Sequence, residues 1–125
     1  MNVTYHIIPC NAGSYLNIIT AENRIETEQH AIDLMCLCAE NNTNNLCIPS
    51  QALSGKFFQL SSGSAGGILQ KLVNYQIRTA FVLEENFELP LRFREMMLEA
   101  NKSNEYRFFY STDEAEQWLM GIQEV

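Results

Sequence analysis

The run Ala80-Phe81-Val82-Leu83 sets the strongest constraint on what this chain can fold into. Successive side chains of a strand point to opposite faces, so a strand that is apolar at every position must be covered on both of them. The segments on either side of it have helical period. Ala65, Ile68, Leu69 and Leu72 stand at i, i+3, i+4 and i+7 before it. Phe93, Met96, Met97 and Ala100 form a similar stripe after it, behind a first-turn proline at Pro90. A doubly covered strand between two amphipathic helices predicts an α/β domain with a largely parallel sheet.

The rest of the chain keeps to that alternation. Residues 3–8 and 14–19 are β-branched and aromatic and flank the turn formers Pro9-Cys10-Asn11-Ala12-Gly13, which predicts an antiparallel hairpin. From Thr27 the period becomes helical, with Ala31, Leu34, Met35 and Cys38 on one face. Ile32, Cys36 and Ala39 widen that stripe, and so wide an apolar arc makes a homodimer an expectation. Leu46-Cys47-Ile48 is a short strand closed by Pro49, and residues 106–110 form the last strand. Ser111 and Glu114 have the spacing of a capping box ahead of a fourth helix, whose Ala115, Trp118, Leu119 and Ile122 should face inward. The predicted order is ββαβαβαβα, a mixed, mostly parallel sheet in a single domain over residues 1–125, with the hairpin as its antiparallel edge.

Length and charge narrow the function classes. A chain of 125 residues can bury one core and is too short for two. Eight Lys and Arg against 15 Asp and Glu give a formal charge of -7, which disfavours a phosphate backbone or an anionic bilayer as partner. The N-terminal residues carry no basic leader and no run reaches membrane-spanning length, so a cytoplasmic protein is expected. The chain contains no serine elbow, phosphate-binding loop, zincin or deaminase spacing, and no enzyme and no cofactor are expected.

The one segment that departs from core building is residues 50–67, the longest irregular stretch, with Phe57, Phe58, Ser61, Ser62, Gly63, Ser64 and Gly66 as its candidate contact residues. It follows a strand and runs into a helix N-terminus at the carboxyl edge of the sheet, where open α/β folds bind ligands. Small residues leave backbone N–H groups accessible, and the helix dipole favours a negative group beside them, so a small anion or a phosphoserine would be well placed. A purely structural account competes with this one. Ser62 or Ser64 would cap the helix, and Gly66 and Gly67 would allow close packing on the sheet.

These residues also carry a resemblance. The element order and Ser61-Ser62-Gly63 at the start of the second helix resemble the STAS fold of anti-sigma-factor antagonists, in which a serine of an Asp-Ser-Ser-Gly or Asp-Ser-Thr-Gly motif is phosphorylated to control partner binding. At the acidic position of that motif this chain has Leu60. A closer similarity is to an uncharacterised bacterial family, domain of unknown function 4180. It is densest at Leu53-Ser54, Phe57-Phe58, Leu60, Gly63, Ala65-Gly66, Ile68-Leu69-Gln70-Lys71 and Asn74-Tyr75. The resemblance implies a fold and a contact region, and the leading expectation is a non-catalytic regulatory or protein-interaction module of STAS-like architecture whose partner or ligand contacts residues 50–67. The rival reading is a small-ligand binder with a pocket between that segment and the acidic loop 84–88. An enzyme acting on a small acidic metabolite is a third reading and lacks an identified base or nucleophile.

His6 and His30 fall in a strand and a helix without sequence partners, and structural or surface roles are expected for both. Four cysteines, Cys10, Cys36, Cys38 and Cys47, lack metal-ligand spacing, and Cys36 and Cys38 lie two apart on a helix and so point away from each other. No metal site is expected, and all should be free thiols. Titration of the denatured, non-reduced chain with a thiol reagent should give four equivalents; a value of two or fewer would reveal a disulfide.

Overall fold

A computed structural model describes residues 2–10 and 13–121. Its five strands stand in one sheet in sequence order: β1 (Val3–Cys10), β2 (Gly13–Ala21), β3 (Asn45–Pro49), β4 (Arg78–Val82) and β5 (Tyr106–Phe109). β1 and β2 are antiparallel, and every later pairing is parallel. Four helices, α1 (Glu28–Glu40), α2 (Ser64–Asn74), α3 (Leu91–Ala100) and α4 (Thr112–Leu119), follow β2, β3, β4 and β5 in turn. The α/β class, the antiparallel edge and the element order agree with the sequence. Asn11 and Ala12 of the predicted turn, and Ile122 of the last stripe, lie outside the described residues.

The sheet separates two apolar layers. Leu16, Ile18, Ile48, Phe81 and Phe108 face α1, α2 and α3, whereas Tyr15, Cys47 and Ala80 face α4. Strands that advance in one direction through crossovers of one hand place all the crossover helices on one side, which leaves only the final helix for the other. The doubly covered run is thus explained residue by residue: Phe81 enters the large layer, and Ala80 lies under α4. In register, Ile48, Phe81 and Phe108 stand side by side across three strands, with the Phe81 and Phe108 rings stacked at 4.7 Å.

Local chemistry sets the helix ends. Thr27 caps α1 by accepting from the His30 N–H at 3.2 Å, and His30 Nδ1 accepts from the N–H groups of Glu26 (3.0 Å) and Thr27 (3.2 Å), which makes His30 part of a capping box. Ser111 accepts from the Glu114 N–H at 3.1 Å to start α4. Pro90 is the N-cap of α3 and not its first-turn residue: its ψ of 148° is extended, while its carbonyl accepts the first helical bond from the Arg94 N–H at 3.0 Å. On α1, Cys38 is buried and Cys36 exposed, as expected for residues two apart on a helix.

Trp118 faces the α4-side core layer as expected but is not fully enclosed. It is half-buried, its ring 5.8 Å from Phe109 and covered by the Arg78 guanidinium 4.2 Å from its centroid. Arg78 also donates to the carbonyls of Trp118 (3.0 Å) and Leu119 (2.8 Å), a cation set at the negative end of α4. Phe57, fully buried in the larger layer, should therefore be the costlier truncation. In denaturant unfolding, Phe57→Ala should lose about 3–5 kcal/mol, and Trp118→Ala about 1–2 kcal/mol for a partly buried ring with two cations against it, Arg78 and Arg107.

Candidate functional site

Four parallel strands, β2 to β5, end at one edge, and the loops that leave them converge there. Residues 22–27 follow β2, residues 50–63 follow β3, and residues 83–90 follow β4. The first two are joined by an isolated parallel bridge between Ile25 and Leu53: the Ile25 N–H donates to Ala52 O at 2.8 Å, and the Ser54 N–H to Ile25 O at 2.9 Å. Glu26 tightens that junction. Its carboxylate accepts from Ser54 Oγ at 2.9 Å and lies 3.6 Å from Lys56 Nζ, and its carbonyl accepts from the Ser64 hydroxyl. The segment after β3 is wound into three short 3-10 turns, Ser50–Ala52, Gly55–Phe58 and Leu60–Ser62.

That winding divides the candidate residues. Phe57 and Phe58 are buried: Phe57 packs 5.4 Å from Phe81 and 5.8 Å from Phe93, and Phe58 packs 4.7 Å from Phe87. Burial of two aromatic rings among others favours the core over an open surface, so they do not stand exposed to a docking partner, although Phe58 also floors a cavity described below. Ser61, Ser62, Gly63 and Gly66 are exposed, and Ser64 is half-buried. Gly63 is the N-cap of α2, in the left-handed region at φ 80° and ψ -5°, and supplies no side-chain bond. Neither serine is the N-cap residue. Ser62 Oγ donates to Lys56 O at 2.6 Å and accepts from the Ser64 N–H at 3.1 Å, which turns its hydroxyl inward.

The close approach made by the glycines is also relocated. A Cβ on Gly67 would lie 2.8 Å from Glu28 Cγ, so the glycine admits a side chain of α1, while a Cβ on Gly66 would meet nothing. The Glu28 carboxylate, 4.0 Å from Lys71 Nζ, and the Glu26 carbonyl, which accepts from the Ser64 hydroxyl, thus stand against the first turn of α2. They complement the positive end of that helix and repel an added anion.

A cavity of about 240 Å³ lies at the same edge, under the bridged loops. Arg24 comes to it from the loop after β2, Ser50 and Gln51 from the end of β3, and Glu84 from the end of β4, over an apolar floor of Leu53 and Phe58. Gly55 and Phe87 complete its wall. Gln51 Nε2 donates to Glu84 Oε2 at 3.2 Å. Ser50, one of the lining residues, is 4% exposed, and its hydroxyl is enclosed by protein without a hydrogen-bond partner among the described residues, as is the Trp118 indole N–H on the α4 face. A buried hydroxyl left in that state costs about 1–3 kcal/mol unless a solvent molecule or a ligand satisfies it. The pairing of the segment after β3 with the acidic loop was visible in the sequence. Ser50 was included only as the first residue of that segment, and Arg24 was not foreseen.

On the α4 face, the Tyr15 hydroxyl donates to Glu116 Oε1 at 3.0 Å, and Cys10 Sγ lies 3.7 Å from Glu116 Oε2. Burial pushes the thiols of Cys38 and Cys47 up to about 12 and also raises that of Cys10, so none is a thiolate at neutral pH. Among the described residues, no three His, Cys, Asp or Glu side chains are grouped to hold a metal ion. No helix among them is long and apolar enough to cross a membrane.

The double role of the Ser62 hydroxyl generates a prediction. Asp keeps the acceptor for Ser64 but cannot donate to Lys56 O, and it brings a charge against that carbonyl; Ala loses both bonds. Ser62→Asp and Ser62→Ala should therefore each lower stability by about 1 kcal/mol in denaturant titrations. An Asp variant as stable as the parent would show that the bond to Lys56 contributes nothing.

No curated protein and no solved structure matches this chain. A family model does match, over residues 10–119, which include every strand end, both bridged loops and the whole cavity wall: the chain belongs to the family described as Domain of unknown function (DUF4180).

Proposed function

We propose that this chain is a non-catalytic, cytoplasmic binding module whose small ligand occupies the cavity at the carboxyl ends of β2, β3 and β4. One observation carries the reading: Arg24, Gln51 and Glu84, from the loops that leave three adjacent parallel strands, converge on one cavity with an apolar floor of Leu53 and Phe58. The position supports it, because parallel strands direct their loops, and so their variable side chains, to this edge. In this reading residues 50–58 are the wall of the site, and a ligand touching Gln51 and Glu84 acts on the surface formed by Ser61, Ser62 and Gly63 through the bridged loops. The element order, with each strand laid beside its predecessor, supports an affinity with the regulatory STAS architecture.

A second reading, docking of a protein or of a second copy of the chain, is favoured by α3. Leu91 and Leu98 are 63% and 65% exposed on its outer side. Leu91 borders an apolar hollow of about 590 Å³ with Leu60 and Phe93. Ligand binding ranks first because Phe57 and Phe58 are held in the core, where a docking partner cannot reach them.

The ligand reading is tested with a plugged cavity. Gly55 is exposed, and a Cβ there would meet nothing within 4 Å, so Gly55→Phe should fold and fill the space. Each protein is incubated with a metabolite extract of the source cells, desalted, and examined by mass spectrometry after denaturation. The parent should retain a small molecule that Gly55→Phe, with an unchanged thermal midpoint, does not. Equal recovery from both proteins, or none from the parent, would sink the proposal.

A further inference from the structure

We infer that the cavity takes a small zwitterion of the α-amino-acid type with an apolar side chain. The inference rests on the ligand-binding reading and adds the chemical class. Arg24 and Glu84 line one cavity of about 240 Å³, yet neither has an ion-pair partner within 4.0 Å among the described residues. Two opposite charges that share so small a space without neutralising each other suit a molecule with two poles. The guanidinium of Arg24 presents a planar fork that matches a carboxylate. Glu84 uses Oε2 for Gln51, and its other oxygen can accept from an ammonium group.

The remaining wall supplies the rest of the recognition. Leu53, Phe58 and Phe87 form an apolar floor for a side chain. Size agrees, since the volume lies below the ~300 Å³ at which sites for drug-sized ligands begin. Single-pole ligands fit less well. A pure anion meets Glu84 and a chain of net charge -7, and a pure cation meets Arg24.

The test is isothermal titration of the whole chain with L-leucine, L-methionine and L-phenylalanine. Beside them go two analogues of leucine that each lack one pole, 4-methylpentanoate and 3-methylbutylamine. At least one amino acid should bind saturably, and both analogues should bind at least about tenfold more weakly than leucine, the factor for one lost charge-assisted contact. Arg24→Gln and Glu84→Gln should each weaken the best amino acid by a similar factor, while Ser61→Ala, outside the cavity, should not. Thermal unfolding of each variant checks that it folds. Binding of 4-methylpentanoate as tight as that of leucine would make the ligand an anion and overturn the proposal. Absence of saturable heat with all three amino acids would overturn it as well. In that case a molecule retained by the parent and lost from Gly55→Phe would leave the ligand reading standing, whereas no retained molecule would remove both.

Discussion

The structure of the carboxyl edge depends on where Phe57 goes. A segment of small and polar residues between β3 and α2 would have little reason to hold one shape, but Phe57 stands in the middle of it and is fully buried against Phe58, Phe81 and Phe93. Complete burial of a ring is worth about 1.5–3 kcal/mol, enough to offset the ordering of one or two residues of backbone. The turns on either side are then constrained to reach that point from Pro49 and to leave it for Gly63, and short 3-10 turns fit those distances. The aromatic ring thereby converts a loop into a wall, and the exposed residues around it are the ones the wall does not need.

The sequence was most readable where burial has a period. Alternate positions of β3, β4 and β5 and the i, i+3, i+4 stripes of α1, α2 and α3 each follow from a side chain having one of two faces to choose, and the structure places Ile48, Phe81, Ile68, Leu72, Phe93 and Met97 in one core layer accordingly. Strand ends moved by up to two residues: β1, β2 and β3 pair past their last expected residue, whereas β4 and β5 stop one residue short, at Val82 and Phe109. Residues 50–63 lack such a period. Three turns of three or four residues give no repeat long enough to read, so Phe57 and Phe58 look like surface aromatics in a polar loop. The cavity was legible only in part for a related reason: Ser50 and Glu84 come from the ends of adjacent strands, but Arg24 arrives from β2, and its place there follows from the Ile25–Leu53 bridge, a pairing without local sequence signal.

The helix N-terminus shows why a favourable local feature need not be a site. Exposed N–H groups and a glycine at positive φ make the start of α2 suited to an anion in isolation. The fold brings α1 alongside, and with it Glu28 against Gly67 and the Glu26 carbonyl against Ser64. The same dipole that would attract a ligand is complemented by the chain itself. Lys56 and Lys71 lie at 3.6 Å and 4.0 Å from these carboxylates, and such exposed pairs set orientation more than they add stability.

The cavity differs from that helix end in what holds its polar groups. Arg24 directly precedes Ile25, whose side chain is fully buried and whose N–H and carbonyl are both bonded to the segment after β3. Glu84 follows Leu83, which is buried and donates its N–H to Phe109 O at 2.8 Å, and the Glu84 carbonyl accepts from the Phe87 N–H at 3.0 Å. Both charged side chains therefore spring from backbone fixed by core residues, while Ser50 is held between Pro49 and a 3-10 turn. A ligand entering such a frame orders side chains but little main chain, and avoiding backbone ordering of about 1–2 kcal/mol per residue lets a molecule of few atoms bind usefully. It also makes the positions from which Arg24 and Glu84 reach a property of the fold, while the two exposed side chains adjust to the poles of the ligand.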